Sequence, residues 1–536
     1  MNKLFLVFFS ITTISFAQQT IFPEHESVLN IPFTHQTYNE LSFYFDANNG
    51  HSSFKPYLFS DAAKHVDLDA LKYPLLKDKK SWFGRKFWNE HFFEVQHDDY
   101  WFTVNPIADL QVGKDSETDN LTYTNTRAIQ IQGGLGTNFN FSASLHESQA
   151  RFAEYINHYS RSIGSVPGRG RAKGFKNGGF DYPVTEAYLS YTPNKFFNFQ
   201  FGHGKNFIGD GYRSLMLSDV TSPYPYLRIS TQFWKIKYTN LWMWLDDVRK
   251  EVMVDNLYQR KYVAIHHLSW NVNKRLNIGL FEAVISQQQQ NRGFDVNFFN
   301  PVIFYRAIEF TRGSEAGNAM IGLSSKYKFA QHVSVYSQFV LDELTVDKFF
   351  DGTGYWANKY AFQLGVKYHN AFNVDNLYLQ AEYNMAKPYT YSHFKPVLNY
   401  GHYNQPLAHL WGSNFSEFIG IASYKRDRWF ANAKLTIGKK GFDQNGLNYG
   451  GNIYLDYNDR VADTGIELLQ GNRTDIFVAD FKAGYTVNPA TNLQFFGGLT
   501  LRNFDPTTEV RNFTKQNTTW FTVGLKTDLF NWYFDF

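Results

Sequence analysis

Apolar and polar side chains alternate one for one through segment after segment of this chain. In NLYLQAEYN, Leu377, Leu379, Ala381 and Tyr383 share one side, and Tyr378, Gln380, Glu382 and Asn384 the other. FFNFQFGH opposes Phe197, Phe199 and Phe201 to Asn198, Gln200 and Gly202. NFNFSASLH (from Asn138), WKIKYT (from Trp234) and AFQLGVKYH (from Ala361) repeat the pattern. Successive Cβ atoms leave a strand on opposite sides, so a period of two means strands with one apolar and one polar face.

A sandwich in water has the same local pattern. The connections separate the two. Brief turns are expected around Gly136-Thr137, Pro193-Asn194, Thr239-Asn240, Asn271-Asn273, Ala330-Gln331, Asn370-Asn373, Arg426-Arg428 and Asn488-Ala490. Longer polar connections lie near 114–124, 150–183, 206–228, 247–257, 287–315, 345–357, 387–413, 440–473 and 504–515. Eight brief turns in rotation with nine long loops give about 18 strands in an up-and-down meander. The expected fold is all-β: a transmembrane antiparallel β-barrel, closed because lipid cannot hydrogen-bond an open edge. Composition agrees, since 19% aromatic residues coexist with a mean hydropathy of −0.41. After Ala17 no apolar run approaches the roughly 20 residues of a spanning helix.

The opening MNKLFLVFFSITTISFAQQT reads as a secretory signal peptide, residues 1–17, cut after Ala17. Residues 18–95 lack the period of two and are assigned to a periplasmic cap or a plug. Within them SDAAKHVDLDALKYPLLKD suits a short amphipathic helix ending before Pro74. The barrel is assigned to 96–536. The closing TDLFNWYFDF sets Phe530, Trp532, Phe534 and Phe536 on every second position, as expected of a last strand facing acyl chains. The triplet Lys526-Thr527-Asp528 is where that long strand could break. Export and this fold place the protein in the outer membrane of a Gram-negative cell, with its lipid as a partner.

The chain has no cysteine, which excludes disulfides, thiolate metal sites and cysteine nucleophiles. A net charge of +3 on 536 residues gives no argument for nucleic acid. GHGKN at Gly202 lacks the first glycine and the Ser/Thr of a phosphate loop. DANNG and DQNG lack the distal glutamate of a calcium loop and read as Asx turns. His266 and His267 are adjacent in a strand, so they cannot chelate together. Ser144 and His146 share a face but need no more than a polar lumen to explain them. No cofactor, metal or enzymatic activity is expected.

The loops carry more chemistry. Arg151, Arg161, Arg169, Arg171, Lys173 and Lys176 stand against Glu154 alone in a glycine-rich, flexible-looking loop. Such cations suit an acidic polysaccharide or a lipid phosphate, or equally a solvated loop. GDGYRSLMLSDVTSPYPYLRI, with Arg213, Tyr224, Tyr226 and Arg228, reads as a packed segment folding into the barrel. Residues 386–415 cluster Tyr389, Tyr391, His393, Tyr400, His402, Tyr403, Gln405, His409 and Trp411, which suits sugar faces and hydroxyls or packing on the rim.

Ser81 to Lys114, SLMLSDVTSPYPYLRI, FNPVIFYRAIEFTRGSEAGNAMIGL and NYGHYNQPLAHLWGSNF resemble the RemB gliding-motility proteins of Bacteroidota. More distantly they resemble the Wzi-type capsule-assembly proteins. The resemblance runs from about residue 50 to the C-terminus. It implies an outer-membrane barrel working with surface polysaccharide, in capsule assembly or in gliding motility. Within the matching stretch, Tyr305, Arg306 and Glu309 are candidate lumen or rim contacts. With Arg151, Arg161, Arg169, Arg171, Arg213, Tyr224, Tyr226, Arg228, His402, Gln405, His409 and Trp411 they make up the candidate polysaccharide-binding set. The leading expectation is a non-enzymatic barrel that binds or organises surface polysaccharide. A channel or transporter, and an accessory subunit of a secretion or motility machine, stay open beside it.

Overall fold

The computed structural model describes residues 22–287, 299–301, 317–511 and 513–536. Eighteen antiparallel strands form a closed barrel in which each pairs with its neighbour in sequence and the last pairs with the first. They are β1 Tyr100–Asp115, β2 Leu121–Leu135, β3 Phe139–Arg151, β4 Gly179–Asn194, β5 Phe197–Gly204, β6 Tyr224–Phe233, β7 Ile236–Asp247, β8 Gln259–Asn271 and β9 Leu276–Gln287. The second half holds β10 Asn318–Lys328, β11 Val333–Glu343, β12 Lys359–His369, β13 Leu377–Ala386, β14 Phe415–Arg426, β15 Trp429–Phe442, β16 Asn472–Asn488, β17 Leu493–Pro506 and β18 Gln516–Thr527. Brief turns gather at one end and long loops at the other, in the rotation read from the sequence. The signal-peptide assignment lies outside the described residues.

The alternation sorts as expected. Leu145, Leu189, Phe201, Leu323, Leu364 and Phe521 stand exposed on the outer wall, while Asn140, Gln200, Gln363 and Glu382 are buried in the lumen. His266 faces outward, its Nδ1 3.8 Å from Glu282, and its neighbour His267 faces inward.

Two turns differ from expectation. β4 runs on through Pro193 and Asn194, so its turn is Lys195-Phe196. The turn placed at Thr239-Asn240 falls instead at Trp234-Lys235, where Trp234 takes a left-handed φ of 52°. Thr239 and Asn240 pair with His267 and His266 in mid-strand. Register wins over turn propensity here: this pairing puts Leu241, Met243 and Leu245 on the buried inner face, and a one-residue slip would expel all three.

The lumen is filled by the chain itself. From the short-turn end enters the N-terminal segment, whose longest helix, α1 His35–Ala47, is capped by the Thr34 side chain accepting from Thr37 N. α1 buries Tyr38, Leu41, Ser42 and Phe45. It is tied to the wall by Lys326–Asp46 at 2.6 Å and Lys425–Glu40 at 2.7 Å. Between Ser60 and Asp78 the expected short helix is Leu68–Lys72, which ends before Pro74; a further short helix, Phe59–Ala62, precedes it, and Pro74 sits inside a following 3-10 turn.

The C-terminus corrects the sequence reading most. β18 ends at Thr527, and residues 528–536 leave the wall and run through the lumen, with Tyr533 and Asp535 buried. Trp532 and Phe534 pack on Phe152 at 5.9 and 5.4 Å instead of facing outward. The physical cause is Asp535, whose carboxylate finds Arg213 and Lys434 inside the barrel, each at 2.8 Å. β18 therefore pairs with β1 only from Asp109 to Asp115. Part of the free lower edge of β1 is taken up by the short strand Phe93–Gln96.

Candidate functional site

Three segments converge at mid-lumen. The 205–223 loop dips inward, and the amides of Tyr212 and Arg213 donate to Glu382 of β13 at 2.7 and 3.0 Å. The Arg213 guanidinium, fully buried, grips Glu417 of β14 through Nε and Nη2 at 3.3 and 2.9 Å, and Asp535 through Nη2. His409 Nε2 lies 2.7 Å from Glu417, and Tyr336 donates to Glu382 at 2.7 Å. Nearer the short turns, Asp219 accepts from Tyr533 and Asn531 of the tail, and His35 of α1 shares a hydrogen bond with Tyr533 at 2.7 Å. Buried charges are tolerated only when paired and hydrogen-bonded like this.

The 387–414 loop covers this knot from the long-loop side. Tyr391 and Tyr400 donate to the carbonyls of Leu215 and Met216 at 2.8 and 2.7 Å. Leu215, Met216, Leu217 and Leu407 form an apolar seal beneath it. The expectation of a packed third loop holds.

Above the seal, among the long loops, opens a cavity of about 990 Å³. Its aromatic lining comes from Tyr155 and Tyr159 on α2 Glu154–Ile163, Trp411, Phe442, Tyr454, Phe504, Phe513 and the terminal Phe536. Tyr159 and Tyr155 meet Phe536 at 4.3 and 5.8 Å, and Phe513 meets Phe442 and Phe504 at 4.9 and 5.2 Å. Arg161, Arg171, Arg249, Lys250, Lys440 and Arg502 bring positive charge to it, against Glu251 and Asp443. Arg502 lies 4.4 Å over the Tyr155 ring and donates to the backbone oxygen of Phe536 at 2.7 Å. Arg171 lies over the Tyr258 ring at 4.8 Å and contacts its hydroxyl. Flat rings below and guanidinium groups at the rim form a surface on which a sugar ring can stack while its acidic group is paired.

Of the candidates read from the sequence, Arg161, Arg171 and Trp411 line this cavity. The glycine-rich loop that holds the first two is built from α2 and a small hairpin, Ser165–Val166 with Gly170–Arg171. It draws Arg169 inward onto Glu186 at 3.1 Å and over Phe530 at 3.9 Å, while Arg151 donates to Thr118 at 3.3 Å. Arg213 belongs to the mid-lumen knot. Arg228 donates to Asn206 and Asn30 at 3.1 and 3.0 Å, and Tyr224 and Tyr226 are engaged by Asn206 N and by Gln200. His402 Nδ1 accepts from Asp246 N at 3.1 Å, and burial pulls its pKa down to about 3. Gln405 accepts from Gly168 N and donates to Ser222, and Trp411 donates to Asp535 O at 3.0 Å. Tyr305, Arg306 and Glu309 lie outside the described residues. Sequence reasoning missed Tyr155, Tyr159, Arg249, Tyr454, Arg502 and Phe536. Only the i, i+4 spacing of Tyr155 and Tyr159 was there to be seen.

Ser144 Oγ and His146 Nε2 do meet, at 3.1 Å in the lumen. His146 Nδ1 has no hydrogen-bond partner, so no carboxylate orients the ring as a nucleophile's base requires. Among the described residues no cluster of three or more His, Asp or Glu side chains could hold a metal ion.

No protein-family model matches the chain, and no curated protein matches it. Among solved structures it is similar to Wzi of Escherichia coli, an outer-membrane protein involved in group 1 capsule assembly and described as a carbohydrate-binding β-barrel. The TM-score is 0.55 at 12% identity, over 93% of this chain and 99% of that one. OprD of Pseudomonas aeruginosa gives 0.43 at 10%, over 79% and 94%, and OccAB2 of Acinetobacter baumannii gives 0.43 at 10%, over 79% and 97%. What this chain shares with Wzi at that identity is the fold, a closed barrel matched along nearly the whole of both chains.

Proposed function

We propose that the protein is a non-enzymatic outer-membrane barrel, exported by its N-terminal signal peptide, that binds acidic surface polysaccharide at its long-loop end. One observation carries this: an aromatic-lined, cation-rimmed cavity of about 990 Å³ sits above a lumen occupied by the protein's own segments. The outer wall's apolar side chains suit lipid, and long loops in such barrels face outward from the cell. The Wzi description as a carbohydrate-binding barrel supports the same reading. Resemblance to gliding-motility proteins extends it to surface spreading, with motility or secretion proteins as further partners.

Equilibrium binding of the detergent-solubilised protein to the organism's own surface polysaccharide tests the proposal, with a neutral glucan as control. Saturable binding weakened by Arg171→Ala and Tyr159→Ala supports it, and no binding rejects it. A deletion strain scored for capsule staining and for spreading separates the two biological roles. A solute channel would use the same mouth. It requires the loop at 205–223 and the tail to clear the lumen, so steady conductance of the intact protein in planar bilayers would favour it instead.

A further inference from the structure

Apart from the buried Asn89 and His91, residues 77–96 serve neither the cavity nor the lumen. The helix Trp82–Trp88, capped by Ser81, is held firmly. Asn488 donates to the carbonyls of Lys86 and Glu90 at 2.9 Å each, and Arg428 Nη2 donates to that of Trp88 at 3.0 Å. Both anchors stand at short turns, β16–β17 and β14–β15, so the helix lies along the rim. Its large rings are nevertheless left open: Phe83 is 69% exposed, Trp82 55% and Phe92 50%. Phe83 and Phe87 stack at 5.9 Å, and Trp82 meets Phe92 edge-on at 5.9 Å. A contiguous apolar patch of this kind in water costs free energy with its area and marks an interaction surface.

Its direction identifies the partner. Lys77 Nζ sits between the Trp88 and Tyr485 rings at 4.3 and 4.9 Å, and Tyr485 stands on the outer wall, edge-on to the exposed Trp429 at 4.9 Å. At the other end, Phe93 packs on Phe102 of the outer wall of β1 at 5.8 Å. The patch thus continues the apolar outer wall at both ends. KDKKSWFGRK, from Lys77, carries five cations against one carboxylate. Rings on one face and lysines beside them are the composition of a segment lying in a bilayer surface.

We infer that residues 77–96 are a membrane-surface collar: the rings of Trp82, Phe83 and Phe92 enter lipid at the headgroup–acyl boundary, and Lys79 and Lys80 meet phosphates of anionic phospholipid on the short-turn side. This rests on the barrel being embedded in a membrane. The chain has no cysteine, so single thiols report cleanly. Full-length protein is reconstituted in vesicles of phosphatidylethanolamine and phosphatidylglycerol. There, bimane on Phe83→Cys is quenched by brominated acyl chains and shielded from iodide, as is bimane on Leu364→Cys of the outer wall. Quenching at Leu364→Cys with Phe83→Cys open to iodide overturns the collar alone and leaves the surface to a protein partner. No lipid quenching at either position removes the membrane reading, and the collar with it. Lys79→Glu with Lys80→Glu lowers co-purifying phosphatidylglycerol on the order of tenfold. An unchanged lipid complement overturns the phosphate contact.

Discussion

Arg213, on the loop between β5 and β6, and Asp535, the penultimate residue of the chain, form an ion pair at 2.8 Å with neither side chain exposed. Burial alone would raise the Asp535 carboxyl, but Arg213 and then Lys434 hold it well below the usual carboxylate range. The pair joins a loop from the long-loop end to the chain terminus, and Glu417 completes it from the wall. Removing one partner of a buried ion pair costs about 3–5 kcal/mol, because the other charge is stranded. Arg213→Met takes the shared cation from both Glu417 and Asp535, leaving them only His409 and Lys434, so it is expected to lower the urea midpoint of the detergent-folded barrel further than Asp535→Asn. Equal midpoints for the two variants would contradict the shared-cation geometry.

The N-terminal segment is expected to loosen in acid. His51 is buried against Ser269 and Asn271, and burial, with Lys237 and Lys326 nearby, pulls its pKa down to about 3. An unfolded histidine titrates near ~6.5. A lowered value in the fold therefore means a contribution complete above ~6.5 that is lost as pH falls towards the folded value. His91 works the other way: burial lowers it, but Glu24 at 3.2 Å raises it on balance, so its contribution is complete below ~6.5 and lost above the raised value. The protection factors of α1 amides, measured against the intrinsic exchange rate at each pH, should fall from pH 7 through 5.5 to 4, and less so in His51→Gln.

At the cavity, Tyr159→Ala and Arg171→Ala should each weaken polysaccharide binding by about 5- to 30-fold, roughly 1–2 kcal/mol for a lost ring face or charged contact. The Arg171 side chain stands at the rim, where salt screens charge over about 8–10 Å. Raising sodium chloride from 50 to 500 mM should weaken the wild type more than Arg171→Ala. Isothermal titration on both proteins reads the difference.

Gly365 of β12 faces the lumen, where a Cβ would land on the Tyr336 ring. Tyr336 is fully buried and donates to Glu382, which in turn receives the loop amides of Tyr212 and Arg213. Gly365→Ala should cost about 1–3 kcal/mol by overpacking. It should also expose the 205–223 loop to proteolysis, which a stability loss elsewhere would not do selectively.

The barrel was legible because the wall repeats one physical demand at every second residue, as in Leu377–Ala386, where five inward side chains are buried. Trp234-Lys235 was not legible as a turn because neither residue favours one, and only cross-strand register sets it there. The terminal aromatics misled for a related reason. Phe530, Trp532, Phe534 and Phe536 alternate in the lumen just as they would against lipid, and Asp535 discriminates only once Arg213, over 300 positions earlier, is known to face it. The same distance in sequence hid the candidate site. Arg228 looks free until Asn30 arrives, and Tyr391 until Leu215 does. Tyr155 and Phe536 lie at opposite ends of the barrel sequence, and no local pattern unites them.

With the last nine residues threaded inside the wall, the usual place to attach a purification handle becomes the worst one. A bulky tag placed beyond Phe536 would crowd the cavity lining where the Phe536 backbone oxygen meets Arg502. The exposed connection at Phe350 and Asp351 offers an insertion point whose chain already faces solvent.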